Sequence, residues 1–188
     1  MTKNKNSKSG RARVEVVVTD SSGHRRATAP VLELAPLRLH IRKILVPVDF
    51  SEPSQKALRY ARSFAEQCGA EVTLLHVVEP VIYPAELGYV PIETVETEKA
   101  RIKAVRDQLQ QLAGQFGPAV KAQVSVRSGR GWSEIVEEAK TSQADLIVIA
   151  THGYTGLKHV LLGSTSERVV RHAPCPVLTV REREHDFV

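Results

Sequence analysis

The residues best suited to chemistry lie late in the chain, where a strand-like run ends at Ala150-Thr151-His152-Gly153 and a helix-compatible segment opens at Gly163-Ser164-Thr165-Ser166. Hydroxyl residues directly behind a glycine, at the start of a helix, combine unpaired backbone N–H groups, hydroxyl donors and the positive end of a helix dipole. An anion such as a phosphate fits there. Ordinary N-capping by Ser164 would use the same residue types, and spacing alone leaves both readings open. Asp49 is the other candidate, a carboxylate directly after the apolar run Ile44-Leu45-Val46-Pro47-Val48.

Several chemistries lack their parts. The chain has no G-x-x-x-x-G-K-[ST] loop, and Lys158 does not stand where that motif's lysine would. It has no H-E-x-x-H pair, no cysteine–histidine cluster and no G-x-S-x-G turn, so neither a zinc site nor a serine nucleophile is expected. Cys175 lies between Pro174 and Pro176 ahead of an apolar strand, which suits burial rather than nucleophilic attack. For phosphoryl transfer the candidates are Asp49, His152 and Lys158, fewer than a metal, an orienting group and charge clamps require. No catalytic residue is assigned, and any hydrolysis would be slow.

The elements that would hold these residues alternate in type. Residues 43–49 read as a buried strand, and Ser51-Glu52-Pro53 as the start of a helix whose apolar face is Ala57, Leu58, Ala61, Phe64, Ala65 and Cys68, closed by Gly69. Residues 71–78 are a second apolar strand, and the prolines at 80, 84 and 91 with Gly88 argue for a long loop after it. A helix over about 93–116 carries Val95, Ile102, Val105, Leu109, Leu112 and Phe116 on one stripe and stops at Gly117-Pro118. Residues 122–127 alternate as a third strand, and Ser133 is the expected cap of a short helix bearing Ile135, Val136 and Ala139. The most apolar run, 145–150, is expected at the centre of the sheet. A helix over about 165–172 and a last strand, Pro176 to Val180, complete the pattern.

Five strands alternating with four helices predict an α/β fold, a doubly wound, five-stranded parallel sheet with helices on both faces. Ligands of such sheets sit beyond the carboxyl ends of the strands, where the winding direction reverses. That rule points at Pro47-Val48-Asp49 and at Ala150 to Gly153, the same places the residue types single out.

Composition limits the rest. With 42% hydrophobic and 25% charged residues, the 188-residue chain is an ordinary globular protein with one core and an appendage. No apolar run is long enough to span a bilayer, the basic start lacks the apolar stretch of a secretory signal, and two cysteines suit a reducing cytoplasm. The net charge of +5 resides in residues 1–40, which hold eight Lys and Arg against three acids, leaving eighteen of each sign in the remainder. Nucleic acid is therefore not an expected partner of the folded part. Residues 1–40 read as a basic, flexible extension and linker, with Val14 to Thr19 as an edge strand of unknown partner and 29–40 as the linker proper. A domain over 41–182 and a tail over 183–188 follow.

From Ile41 to Arg181 the chain resembles the universal stress protein family. The resemblance rests on Val46-Pro47-Val48-Asp49-Phe50-Ser51 at the first strand, on Ser166 to Val180 at the end, and on the G-x2-G-x9-G-[ST] motif of its nucleotide-binding members. Gly153, the nine residues 154–162 and Gly163-Ser164 fill its last positions, while Ala150 stands in place of the first glycine. Alanine is the smallest addition and suits a strand end, so reduced affinity at most is expected there.

The resemblance implies a Rossmann-like sheet of the adenine nucleotide alpha hydrolase type and an ATP-binding regulatory module of the stress response, with Mg²⁺ arriving on the nucleotide. It implies that Pro47 and Val77 line an adenine slot and that Asp49 meets the ribose. Ile149, Ala150, His152 and Gly153 would border ribose and triphosphate, with the phosphates on Gly163, Ser164, Thr165 and Ser166. It implies a homodimer through Pro176 to Val180, which an exposed apolar edge strand would also favour. The alternative is a nucleotide-free member acting as an interaction or holdase-like protein, to which Ala150 and the basic tail would belong. A slow ATP hydrolase is the third possibility.

Overall fold

The computed structural model describes residues 13–19, 22–33, 40–79, 95–151 and 163–181 of the chain. It divides the chain into two compact units, Met1–His40 and Ile41–Val188. In the first, β1 (Arg13–Thr19) pairs antiparallel with β2 (Arg25–Glu33). The sequence left the first of these strands without a partner and assigned 29–40 to a linker; residues 25–33 supply the partner instead. The turn at Ser22-Gly23, with Gly23 at φ +79°, lets the chain reverse, and a register shift beside Glu15 brings Pro30, which has no N–H to donate, into the ladder.

In the second unit the elements are β3 (Lys43–Pro47), α1 (Glu52–Cys68), β4 (Glu71–Val78), α2 (Val95–Gly114), β5 (Ala122–Ser128), α3 (Gly131–Ser142), β6 (Leu146–Ala150), α4 (Ser164–His172) and β7 (Val177–Val180). All five strands are parallel, in the order β5-β4-β3-β6-β7. The chain winds outward from β3 to β5, then returns past β3 and winds the other way through β6 to β7. The reversal therefore lies between β3 and β6, as the doubly wound reading expects. The centre of the sheet is β3 rather than the more apolar 145–150 run; β6 is its neighbour, and burial on both faces is enough to explain that composition.

Two apolar layers hold the sheet. On one face Ile44, Val46, Val72, Leu74 and Val148 meet Ala57, Tyr60, Ala61 and Ala65 of α1, with Leu109 of α2. On the other, Leu45, Leu75, Ile147 and Ile149 meet Ile135 and Ala139 of α3, with Val169 of α4. Alternate residues of each strand thus serve opposite layers, and each large side chain removed from water contributes about 1.5–3 kcal/mol. Cys68, expected on the apolar face of α1, is exposed in its last turn. Cys175 is half-buried against the second layer, and burial, with the negative charge of Asp145 next in weight, raises its thiol pKa. A neutral thiol is a poor nucleophile.

Both ends of α1 are set by single residues. Ser51 accepts from the N–H of Ser54 as N-cap, Pro53 lies in the first turn, and Gly69 closes the helix at φ +67°. Ser51→Ala is expected to lower stability by about 1 kcal/mol in urea denaturation, the usual cost of a lost N-cap.

Candidate nucleotide site

Three corners at the carboxyl edge of the sheet build the site. At the first, β3 passes into α1 through Asp49, Phe50 and Ser51. Asp49 Oδ1 accepts from the backbone N–H of Ser51 at 3.0 Å and from its hydroxyl, so the carboxylate is fixed at the strand end. Phe50 takes φ +64°, a strained value for a side chain of its size, and its ring packs on His76 with centroids 5.0 Å apart. His76 Nδ1 in turn lies 2.7 Å from the carbonyl oxygen of Val48, tying the tip of β4 to the same corner.

At the second corner β6 passes towards α4. Thr151 is buried, donates its N–H to Val180 at 2.9 Å, and offers its carbonyl oxygen to the N–H of Gly163 at 2.7 Å and to the hydroxyl of Ser166 at 3.2 Å. Gly163 is the N-cap of α4 with φ −65° and ψ 154°, so its glycine is not required by conformation. It is required by space, because a Cβ there would stand 2.9 Å from the carbonyl oxygen of Thr151. The residue forms no side-chain cap, and the first in-helix bond of α4 is from Glu167 N–H to Gly163 O at 2.9 Å. Capping by Ser164, the ordinary alternative for that serine, is thereby replaced: Ser164 lies inside the helix.

The third corner is the start of α3. The expected cap at Ser133 falls two residues inside the helix, which begins at Gly131 after Arg130 and has no side-chain cap from Arg130. Glu79, just beyond β4, fills that role from a distance: its Oε1 accepts from the N–H of Gly131 at 2.8 Å. Arg127 of β5 anchors the same helix through Glu138, Glu134 and Thr141. The hydrogen bond to Glu138 is the largest cause raising the pKa of Arg127.

Between the corners lies a cavity of about 260 Å³, near the lower limit for small-molecule sites. Leu75, Val77, Ile135 and Ile149 give it apolar walls. Pro47, Asp49, Val77, Ile149, Ala150, Gly163, Ser164, Thr165 and Ser166, all singled out from the sequence, line it together. His152 and Gly153 lie outside the described residues. Ala150 pairs with Val180 in the sheet and is not among the residues with positive φ, so glycine's conformational freedom is not needed there.

Sequence reasoning missed Glu79 and Gly131, and gave Thr151, inside the singled-out stretch 150–153, no role of its own. The rule that found Asp49, a polar residue just past a strand end, applies equally to Glu79 and Thr151. Gly131 was hidden by the more obvious serine at 133.

The arrangement offers an apolar slot at one side and, at the other, the amides and hydroxyls of a helix start, suited to an anion. Among the described residues no three His, Cys, Asp or Glu side chains are grouped to hold a metal, and no helix is long and apolar enough to cross a membrane.

Comparison with known proteins identifies the family and the fold. The universal stress protein MJ0531 of Methanocaldococcus jannaschii is 38% identical over 144 residues, covering 75% of this chain and 82% of that protein. The universal stress protein YxiE of Bacillus subtilis is 34% identical over 147 residues, covering 74% and 98%. The solved structure of universal stress protein UspA from Lactobacillus plantarum superposes with a TM-score of 0.67 at 29% identity, over 77% of this chain and all of that one. Two further structures share the fold at lower identity: a universal stress protein solved with cAMP, at 22% and TM-score 0.56, and an Arabidopsis thaliana family member solved with AMP, at 21% and TM-score 0.52. The family model described as "Universal stress protein family" matches residues 40–181, and the chain belongs to that family.

Proposed function

We propose that this chain is a regulatory module of the stress response that binds ATP in the cavity at the winding reversal, with Mg²⁺ carried on the triphosphate. One juxtaposition supports this most: an apolar slot and a helix start without a side-chain cap share a single cavity. Pro47 and Val77 take the adenine and Asp49 the ribose. Ile149, Ala150, His152 and Gly153 border ribose and phosphates, and Gly163, Ser164, Thr165 and Ser166 bind the phosphates. Occupancy changes a surface that a partner protein reads, and hydrolysis, if it occurs, is slow.

The same proposal includes a cytoplasmic homodimer joined through Pro176 to Val180. Its support is that β7 is an edge strand whose Val177, Leu178 and Thr179 are only partly covered, and that Cys68 and Cys175 are both unpaired thiols.

Calorimetric titration of nucleotide-stripped protein with Mg²⁺-bound ATP tests the central point. Saturable binding of one nucleotide per chain is the expected result. No heat with ATP, AMP or adenosine would remove the nucleotide reading and leave an interaction protein in its place.

A further inference from the structure

Glu79 occupies a position in the cavity that the nucleotide assignment does not use. It follows β4 directly, lines the cavity, and holds the N–H of Gly131 through Oε1 at 2.8 Å. The start of α4 is close by. A Cβ built on Gly131 would stand 2.9 Å from Glu79 Oε1 and 3.8 Å from the Cγ2 of Thr165. Two helix starts therefore meet at one end of the cavity, and one of them already holds an anion.

A carboxylate fixed there acts on whatever binds beside Thr165. Bare polyphosphate carries several negative charges and is repelled at short range, whereas a divalent cation on the phosphates cancels much of that charge. Mg²⁺ in such sites is held by phosphate oxygens, waters and one or two carboxylates rather than by a cage of protein ligands. Asp49, which also lines the cavity, is hydrogen-bonded to Ser51 at the β3 corner.

We propose that Glu79 is the charge-selecting residue of this cavity, turning away metal-free polyphosphate and admitting its Mg²⁺ complex. The proposal rests on the nucleotide reading above and adds to it a residue and a preference. Glu79 fixes the form of the ligand, not the base.

The test is titration of the full, nucleotide-stripped chain with ATP in Mg²⁺, ATP in EDTA, and adenosine, comparing the parent with Glu79→Gln and Glu79→Ala. Gln removes the charge and keeps an oxygen for Gly131; Ala removes both. Mg²⁺ is expected to strengthen ATP binding by roughly tenfold or more in the parent and by less than about threefold in both variants, through a gain in metal-free ATP binding. Adenosine should bind all three proteins alike. Metal dependence unchanged in Glu79→Gln overturns the proposal, and so does a change confined to Glu79→Ala, which would trace to the lost cap of α3. If neither ATP nor adenosine binds the parent, the nucleotide reading itself has failed, and this one with it.

Discussion

Ser164→Asp is expected to weaken binding of Mg²⁺-bound ATP by at least about tenfold while leaving the thermal midpoint unchanged or raised. The two effects have opposite signs because one carboxylate meets two partners. Ser164 is the first residue of α4, behind an N-cap, Gly163, that makes no side-chain bond. An acidic residue in the first helical turn interacts favourably with the helix dipole, by about 0.3–1 kcal/mol at an exposed position. The same charge would occupy the place proposed for the phosphates, and two like charges about 4 Å apart repel by roughly 1–4 kcal/mol between bulk water and a protein surface. Adenosine, which has no phosphate, should bind parent and variant equally. ATP affinity within about threefold of the parent, in a protein of unchanged midpoint, would move the phosphates elsewhere in the cavity.

How far the sequence led depends on which physical signal each feature leaves in it. The strands at 71–78 and 146–150 are apolar on both faces, so composition alone marks them. Ser51 and Gly69 mark the ends of α1 because a cap and a left-handed closing residue each demand particular side chains. The start of α3 left no such mark, since its cap comes from Glu79, more than fifty residues away in sequence. Long-range capping has no local spacing to read. Pairing of 25–33 with 13–19 was obscured for a related reason: Arg25, Arg26 and Pro30 look like strand breakers until the partner ladder and its register shifts are known. Residue type and the family motif mark Asp49 and Gly163 in the sequence one segment at a time. That both line one cavity is a property of the β3–β6 adjacency, which follows from topology and not from either segment alone.

Gly163→Ala is the second substitution with a large expected effect, and it tests crowding rather than charge. The added Cβ would lie 2.9 Å from the carbonyl oxygen of Thr151, a backbone atom that cannot rotate aside. That same oxygen receives the N–H of Gly163 at 2.7 Å, so relieving the clash lengthens the bond that joins β6 to α4. Overpacking costs about 1–3 kcal/mol and a weakened buried hydrogen bond about another 0.5–1.5 kcal/mol, so a loss of roughly 2–3 kcal/mol is expected in urea denaturation. Displacement of the α4 start should also cut ATP affinity at least about tenfold, since a small misplacement of several donors is felt by all of them. Gly69→Ala supplies the contrast: Gly69 has φ +67° but nothing within 4 Å of its Cβ position. It should lose only about 1 kcal/mol, from conformation, and bind ATP like the parent. Gly163→Asp would confound charge with crowding, which is why the charge test belongs at Ser164. Parental stability and affinity in Gly163→Ala would mean that the Thr151–Gly163 contact yields easily and does not set the position of the helix start.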